Sequence, residues 1–321
     1  MTQEGTESQD NQLDSVLETS YRAIREEKLD KSIELLEKGL SIDYENDEVM
    51  AALKYVNFWK ERDKALFSIS SSVEQGEYLL NQWKIFNKFS KRTGKPAERC
   101  IHALQQYVFT RALKIFESLL DENGNPDGEL MLRIGRCFKG KGEYDKALDW
   151  LSSAVRERKE DPEVLAELAD CYSLINEESS AKVFFREAFF LGPSKIDISN
   201  LESEMIHRLA EKVKEIGYES PVLEEWIPVY GVLFGIFTVK RELRSIEYGK
   251  LKQSIYALER EIRENTGDKE IIIPRLINRY FWLIDYYMNV KDDRKEDRNR
   301  INEVLLKLKE LNASIYHQYA R

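Results

Sequence analysis

Apolar and small residues recur at three-to-four spacing through most of the chain, the period that places them on one face of a helix. The pattern repeats. Met131, Ile134, Gly135, Phe138, Ala147, Leu151 and Ala154 fall 34 positions before Leu165, Leu168, Ala169, Tyr172, Ala181, Phe185 and Ala188. Within each block, small residues stand where two helices approach closely and large ones line the faces that meet, so each block predicts a helical hairpin. A weaker copy spans Val16 to Asp43, with Ser20, Ser32 and Gly39 at the small positions and Leu36 on the apolar face. Further helices are expected over Asp47–Arg62, Val73–Lys91 and Ala97–Leu120, the last two separated by the turn-forming KRTGKP, residues 91–96.

The C-terminal third changes rhythm. Tyr248, Leu251, Ile255, Leu258 and Ile262, and again Ile301, Val304, Leu308, Leu311 and Ile315, step by three and four in alternation. That spacing predicts long helices packed nearly parallel or antiparallel to a neighbour. Asn265 to Gly267 supplies a helix stop, and Pro274 lies near the start of the next helix. Trp226 to Val239 holds no charge over 14 residues. As a helix it would reach only ~21 Å against ~30 Å of hydrocarbon, so it predicts a buried segment rather than a membrane span.

The two blocks, with Ile134-Gly135, Phe138 and Ala147-x3-Leu151 in the first and Leu168-Ala169, Tyr172 and Ala181-x3-Phe185 followed by Pro193 in the second, resemble the tetratricopeptide repeat family. The turn from Gly140 to Leu148 is similar to the one that family places between its two helices. The resemblance covers residues 128–195 firmly and other parts of residues 13–217 loosely. It implies an all-α superhelix of hairpins whose first helices line a concave groove for a partner polypeptide. Residues 218–321 are then expected to form a helical bundle capping the last apolar face. Some members of the family grip a chaperone's terminal carboxylate with Lys, Asn and Arg; Leu132, Arg136 and Glu167 stand at those places here, so that clamp is absent.

Charge modifies this outline in one place. The chain of 321 residues has 49 Lys and Arg against 58 Asp and Glu, a net −9. The first 50 residues alone carry 14 acidic and 5 basic side chains, so the remainder is neutral. Residues 1–12 read as a disordered acidic tail, and the acidic first hairpin as a possible cover for a basic stretch further on.

That stretch holds Lys84, Lys88, Lys91, Arg92, Lys95 and Arg99 beside three aromatics, a candidate surface for anions although nucleic acid is not the favoured partner of an acidic chain. The candidate groove residues are Arg133, Arg136 and Lys139 on the first good repeat and Glu163, Glu167 and Asp170 on the second. Arg279, Trp282 and Tyr286 share one face of a helix that is apolar on two sides, which either lies between neighbours or offers a second interface.

No nucleotide-binding, hydrolase or zinc signature occurs. The three histidines are scattered, and Cys100, Cys137 and Cys171 fit helix-packing positions in a reduced chain. The expectation is therefore a non-enzymatic scaffold without metal, cofactor or small-molecule substrate. Lacking a leader in the sequence, it is expected in the cytoplasm. Two alternatives stay open: a structural subunit of a larger bacterial envelope or motility assembly joined through its C-terminal helices, and an anion-binding protein using residues 84–99.

Overall fold

In the computed structural model the described residues are 3–120, 126–239, 242–289 and 294–320, with side chains described from residue 11 onward except those of residues 294 and 295. They are helical, with no strand among them. The all-α expectation holds, and within each unit most helices adjacent in sequence pack on one another, consistent with a helical repeat. Two compact units divide between Glu157 and Arg158, away from the boundary at residues 217 and 218 that the repeat pattern suggested.

The first unit contains α1 (Gln3–Arg25), α2 (Leu29–Ile42), α3 (Asp47–Leu66), α4 (Ser72–Ser90), α5 (Glu98–Ser118), α6 (Gly128–Gly140) and α7 (Tyr144–Glu157). α1 begins at Gln3, so most of the stretch expected to be a disordered tail is its first turns, while residues 1 and 2 lie outside the described residues. Several starts have a chemical cause. Asn46 accepts hydrogen bonds from the N–H groups of Glu48 and Val49, both at 3.1 Å, and Asp127 accepts one from Leu130 at 2.7 Å, so these side chains satisfy donors that a helix start leaves open. α5 is central, packing against α1, α3, α4 and α6.

The second unit contains α8 (Pro162–Leu174), α9 (Glu178–Leu191), two short 3-10 turns, α10 (Glu204–Glu215), α11 (Val222–Leu233), α12 (Ser245–Glu264), α13 (Lys269–Asn289), α14 (Arg294–Leu311) and α15 (Ala313–Tyr319). Here α13 is central, packing on α11, α12 and α14. Leu251 and Ile255 of α12, and Val304 and Leu308 of α14, are buried. Both heptad stripes thus pack on α13 within the unit. The second stripe is interrupted at Asn312, which caps α15 by accepting from the Ile315 N–H at 3.0 Å.

The three hairpins read from the sequence share one turn. In α6–α7, Glu143 N–H donates to Phe138 O at 2.9 Å and Gly142 N–H to Lys139 O at 2.8 Å, with Gly142 at φ 76°. In α8–α9, Glu177 N–H reaches Tyr172 O at 2.9 Å with Asn176 at φ 63°. In α1–α2, Lys28 N–H reaches Ala23 O at 2.9 Å with Glu27 at φ 62°. This paired closure around a left-handed residue ends each first helix the same way. The weaker copy is thus a helical hairpin with the same turn as the two clear blocks. Its small pair, Ser20 and Ser32, is buried and joined hydroxyl to hydroxyl at 2.8 Å. At the equivalent place in α6–α7, a Cβ on Gly135 would fall 2.7 Å from Leu151 Cγ, so only glycine admits that close approach.

The uncharged run Trp226–Val239 differs from the helix expected. α11 stops at Leu233, Gly235 takes φ 72°, and the chain folds back so that the Phe237 ring occupies the space over Gly231. The two glycines have different tasks. One receives an aromatic ring and the other makes the turn.

Candidate binding surfaces

Of the six groove candidates, the structure leaves fewer available than the sequence suggested. Lys139, Glu167 and Asp170 are buried, so three positions expected to face outward do not. Helical spacing groups residues on a face but does not say which of them a neighbour covers. Asp170 shows the reason for one of them. Its carboxylate accepts the Ser203 N–H at 2.7 Å and the Glu202 N–H at 2.9 Å, supplying acceptors at the start of α10 where Ser203 makes no side-chain cap of its own. Asp170→Ala should therefore cost about 1–3 kcal/mol of stability, read as a lower urea midpoint. A midpoint unchanged from wild type would return Asp170 to the list of binding residues.

Arg133 is half-buried and paired with Glu77 of α4 and, at 3.0 Å, with Glu129 one turn earlier. Arg136 on α6 and Glu163 on α8 remain partly exposed.

The basic stretch is divided as well. Arg99 donates to Asp14 of α1 at 2.6 Å and through two nitrogens to Glu48 of α3 at 3.1 Å, while Lys95 lies 3.2 Å from Asp47. Carboxylates of the acidic N-terminal region thus hold one end of it. These carboxylates keep the Arg99 guanidinium pKa above its ordinary value. Such exposed pairs each contribute about 0–1 kcal/mol. Lys84 is half-buried, whereas Lys88, Lys91 and Arg92 are exposed, with no carboxylate at ion-pair distance among the described residues. That leaves three cations rather than six for an outside anion.

Arg279, Trp282 and Tyr286 do not form a flat interface. Tyr286 stacks on Tyr248 of α12 with ring centroids 4.1 Å apart. Trp282 is only 4% exposed, its ring 4.5 Å from that of Phe190 and beneath the Arg186 guanidinium. Its indole N–H has no acceptor among the described residues. Arg279 donates from Nε to Ser254 Oγ at 3.0 Å and from Nη1 to the Arg275 carbonyl at 3.2 Å. Together with Phe190, Leu251 and Ser254, Arg279 and Trp282 line a cleft of about 400 Å³. Nothing local could have revealed it, because the α9 wall lies about sixty to ninety residues before the walls from the neighbouring helices α12 and α13.

Other reactive types are housed structurally. Cys100, Cys137 and Cys171 are buried thiols, and burial raises the pKa of the first two far above the usual range, which keeps them protonated. Among the described residues no group of three or more His, Cys, Asp or Glu side chains is placed to hold a metal ion, and no helix is long and apolar enough to cross a membrane.

Residues 103–171 match the family model of the tetratricopeptide repeat. The matched segment runs from within α5 through α6 and α7 to Cys171 in α8 and includes the whole first block found by internal comparison. No curated protein matches the chain.

Proposed function

We propose that the protein is a non-enzymatic scaffold that holds a partner polypeptide against the first helices of its repeats, with Arg136 of α6 as a leading contact. The observation that carries this reading is the repeat segment itself at residues 103–171, since the family is built for recognising other proteins and helical hairpins present rows of side chains at regular spacing. Burial of Lys139 narrows the contact set on α6 to Arg133 and Arg136. Arg133 is best probed as glutamine, because glutamate at that place would add a third carboxylate beside Glu77 and Glu129.

Crosslinking in cells of the native source, followed by quantitative recovery, supplies the test. Arg133→Gln combined with Arg136→Glu should reduce recovery of the principal partner by about tenfold while the thermal midpoint stays near that of wild type. Full recovery with the folded double variant removes α6 as the contact. The alternative of association through the C-terminal helices predicts a concentration-dependent mass in light scattering, and a monomer at high concentration removes it.

A further inference from the structure

The cleft between α9, α12 and α13 has a feature that packing does not require: Arg279 lines it without a carboxylate partner. No acidic oxygen of the described residues lies within ion-pair distance of its guanidinium, whereas its neighbour Arg275 donates to Glu225 from Nε at 2.8 Å and also from Nη2. Arg279 has instead a hydroxyl, a backbone carbonyl and the Phe190 ring, whose centroid is 5.2 Å from Cζ. Burial, with the adjacent Arg275 charge, lowers its pKa to about 10. At neutral pH it is still a cation, with its charge poorly compensated, and a buried charge of that kind costs stability until an anion joins it.

The rest of the cleft limits what that anion can be. Its floor is apolar, made by Phe190, Leu191, Leu251 and Trp282. At the rim, Lys250 is paired with Glu160 at 3.0 Å and Arg244 with Glu247 at 3.3 Å, so those cations are already answered. Besides Arg279 the lining holds three acidic side chains, Glu160, Glu187 and Glu247, and three basic ones, Lys159, Arg244 and Lys250, so Arg279 supplies the net charge and a second negative charge on a ligand finds no excess cation to meet it. A volume of about 400 Å³ suits a small molecule.

We propose that this cleft binds a monocarboxylate with a compact apolar body, the carboxylate meeting Arg279 and Ser254 and the body lying on Phe190 and Trp282. The planar guanidinium can offer two parallel N–H donors to a carboxylate, which a lysine could not. This departs from the sequence expectation of no small-molecule ligand and does not depend on the peptide-binding role of α6.

Calorimetric titration of the full chain tests it with 3-phenylpropanoate, its neutral isostere 3-phenylpropanamide, and inorganic phosphate. The acid should bind with a Kd of about 1 mM or tighter. The amide should bind at least about tenfold more weakly, because the charged hydrogen bond is missing. Arg279→Gln should weaken the acid by a similar factor while leaving the amide unchanged, and Lys250→Gln, whose charge is held by Glu160, should change the acid by less than about threefold. Equal binding of acid and amide to wild type overturns the proposal without reliance on any variant. So does phosphate competing as well as the acid, since that would show charge alone at work, or no heat from the acid up to its solubility limit.

Discussion

Asp285→Ala should destabilise the second unit by about 3–5 kcal/mol, the largest single-residue effect expected there. Asp285 and Arg186 form an ion pair in which the arginine side chain is 4% exposed and the aspartate 12%. Arg186 also donates to the Val239 carbonyl at 3.0 Å and lies 4.8 Å above the Trp282 ring. Its Nε has no partner among the described residues, so little compensation is left once the carboxylate is removed. The guanidinium would then be a buried charge beside an aromatic ring. Replacing both members, Arg186→Met with Asp285→Leu, removes the charge along with its partner and should cost far less than the single change. Urea unfolding followed by circular dichroism measures both. A single-variant loss under about 1 kcal/mol would mean that water reaches the pair.

In the first unit, Trp59→Ala should cost about 3–5 kcal/mol. Trp59 is fully buried in α3, with ring centroids 6.3 Å from Trp83 and 5.8 Å from Phe86 on α4 and 6.4 Å from Tyr107 on α5. The side chain therefore joins three helices. Removing it leaves a void lined by aromatics that are too rigid to fill it. Its indole N–H finds no acceptor among the described residues, so the ring acts by volume and not as a donor. Trp59→Phe keeps most of the volume and drops the unsatisfied N–H, and should cost only about 1–2 kcal/mol. Thermal unfolding separates the two. If phenylalanine proves as damaging as alanine, the N–H has a partner and volume is not the cause.

The contrast between these two sites shows where the sequence is informative. Trp59 belongs to a local apolar pattern that predicts α3 as a helix, and its burial follows from that helix having a face to cover. The pairing of Arg186 with Asp285 spans 99 positions. No spacing rule connects them, and either residue read alone is an ordinary polar position on a helix.

The candidate surfaces divide along the same line. The offset of 34 identified the repeat, and the family match at residues 103–171 agrees with it. Helical spacing also grouped Arg133, Arg136 and Lys139 on one stripe. Whether a stripe faces solvent is a separate question, answered by what packs over it, and Lys139 is covered. Likewise α13 read as apolar on two sides, which is true, but its neighbours decided between burial and interface. They buried Trp282 and left Arg279 at the mouth of a cleft.

By itself, the sequence determined the helical class, the limits of α3, α4 and α5 to within a few residues and the 34-residue hairpin repeat, because these depend on contacts within three or four residues and on the turn that follows. It also placed the excess acid in the first 50 residues. Tertiary structure decided how that charge is used, bringing Asp14 and Glu48 to Arg99, and it decided that α11 ends at Leu233 so that Phe237 can fold over Gly231. It alone assembled the cleft around Arg279. Such features join side chains far apart along the chain, whose meeting depends on the packing of whole helices, and the local periodicity that specifies each helix carries no record of which partner will lie across from it.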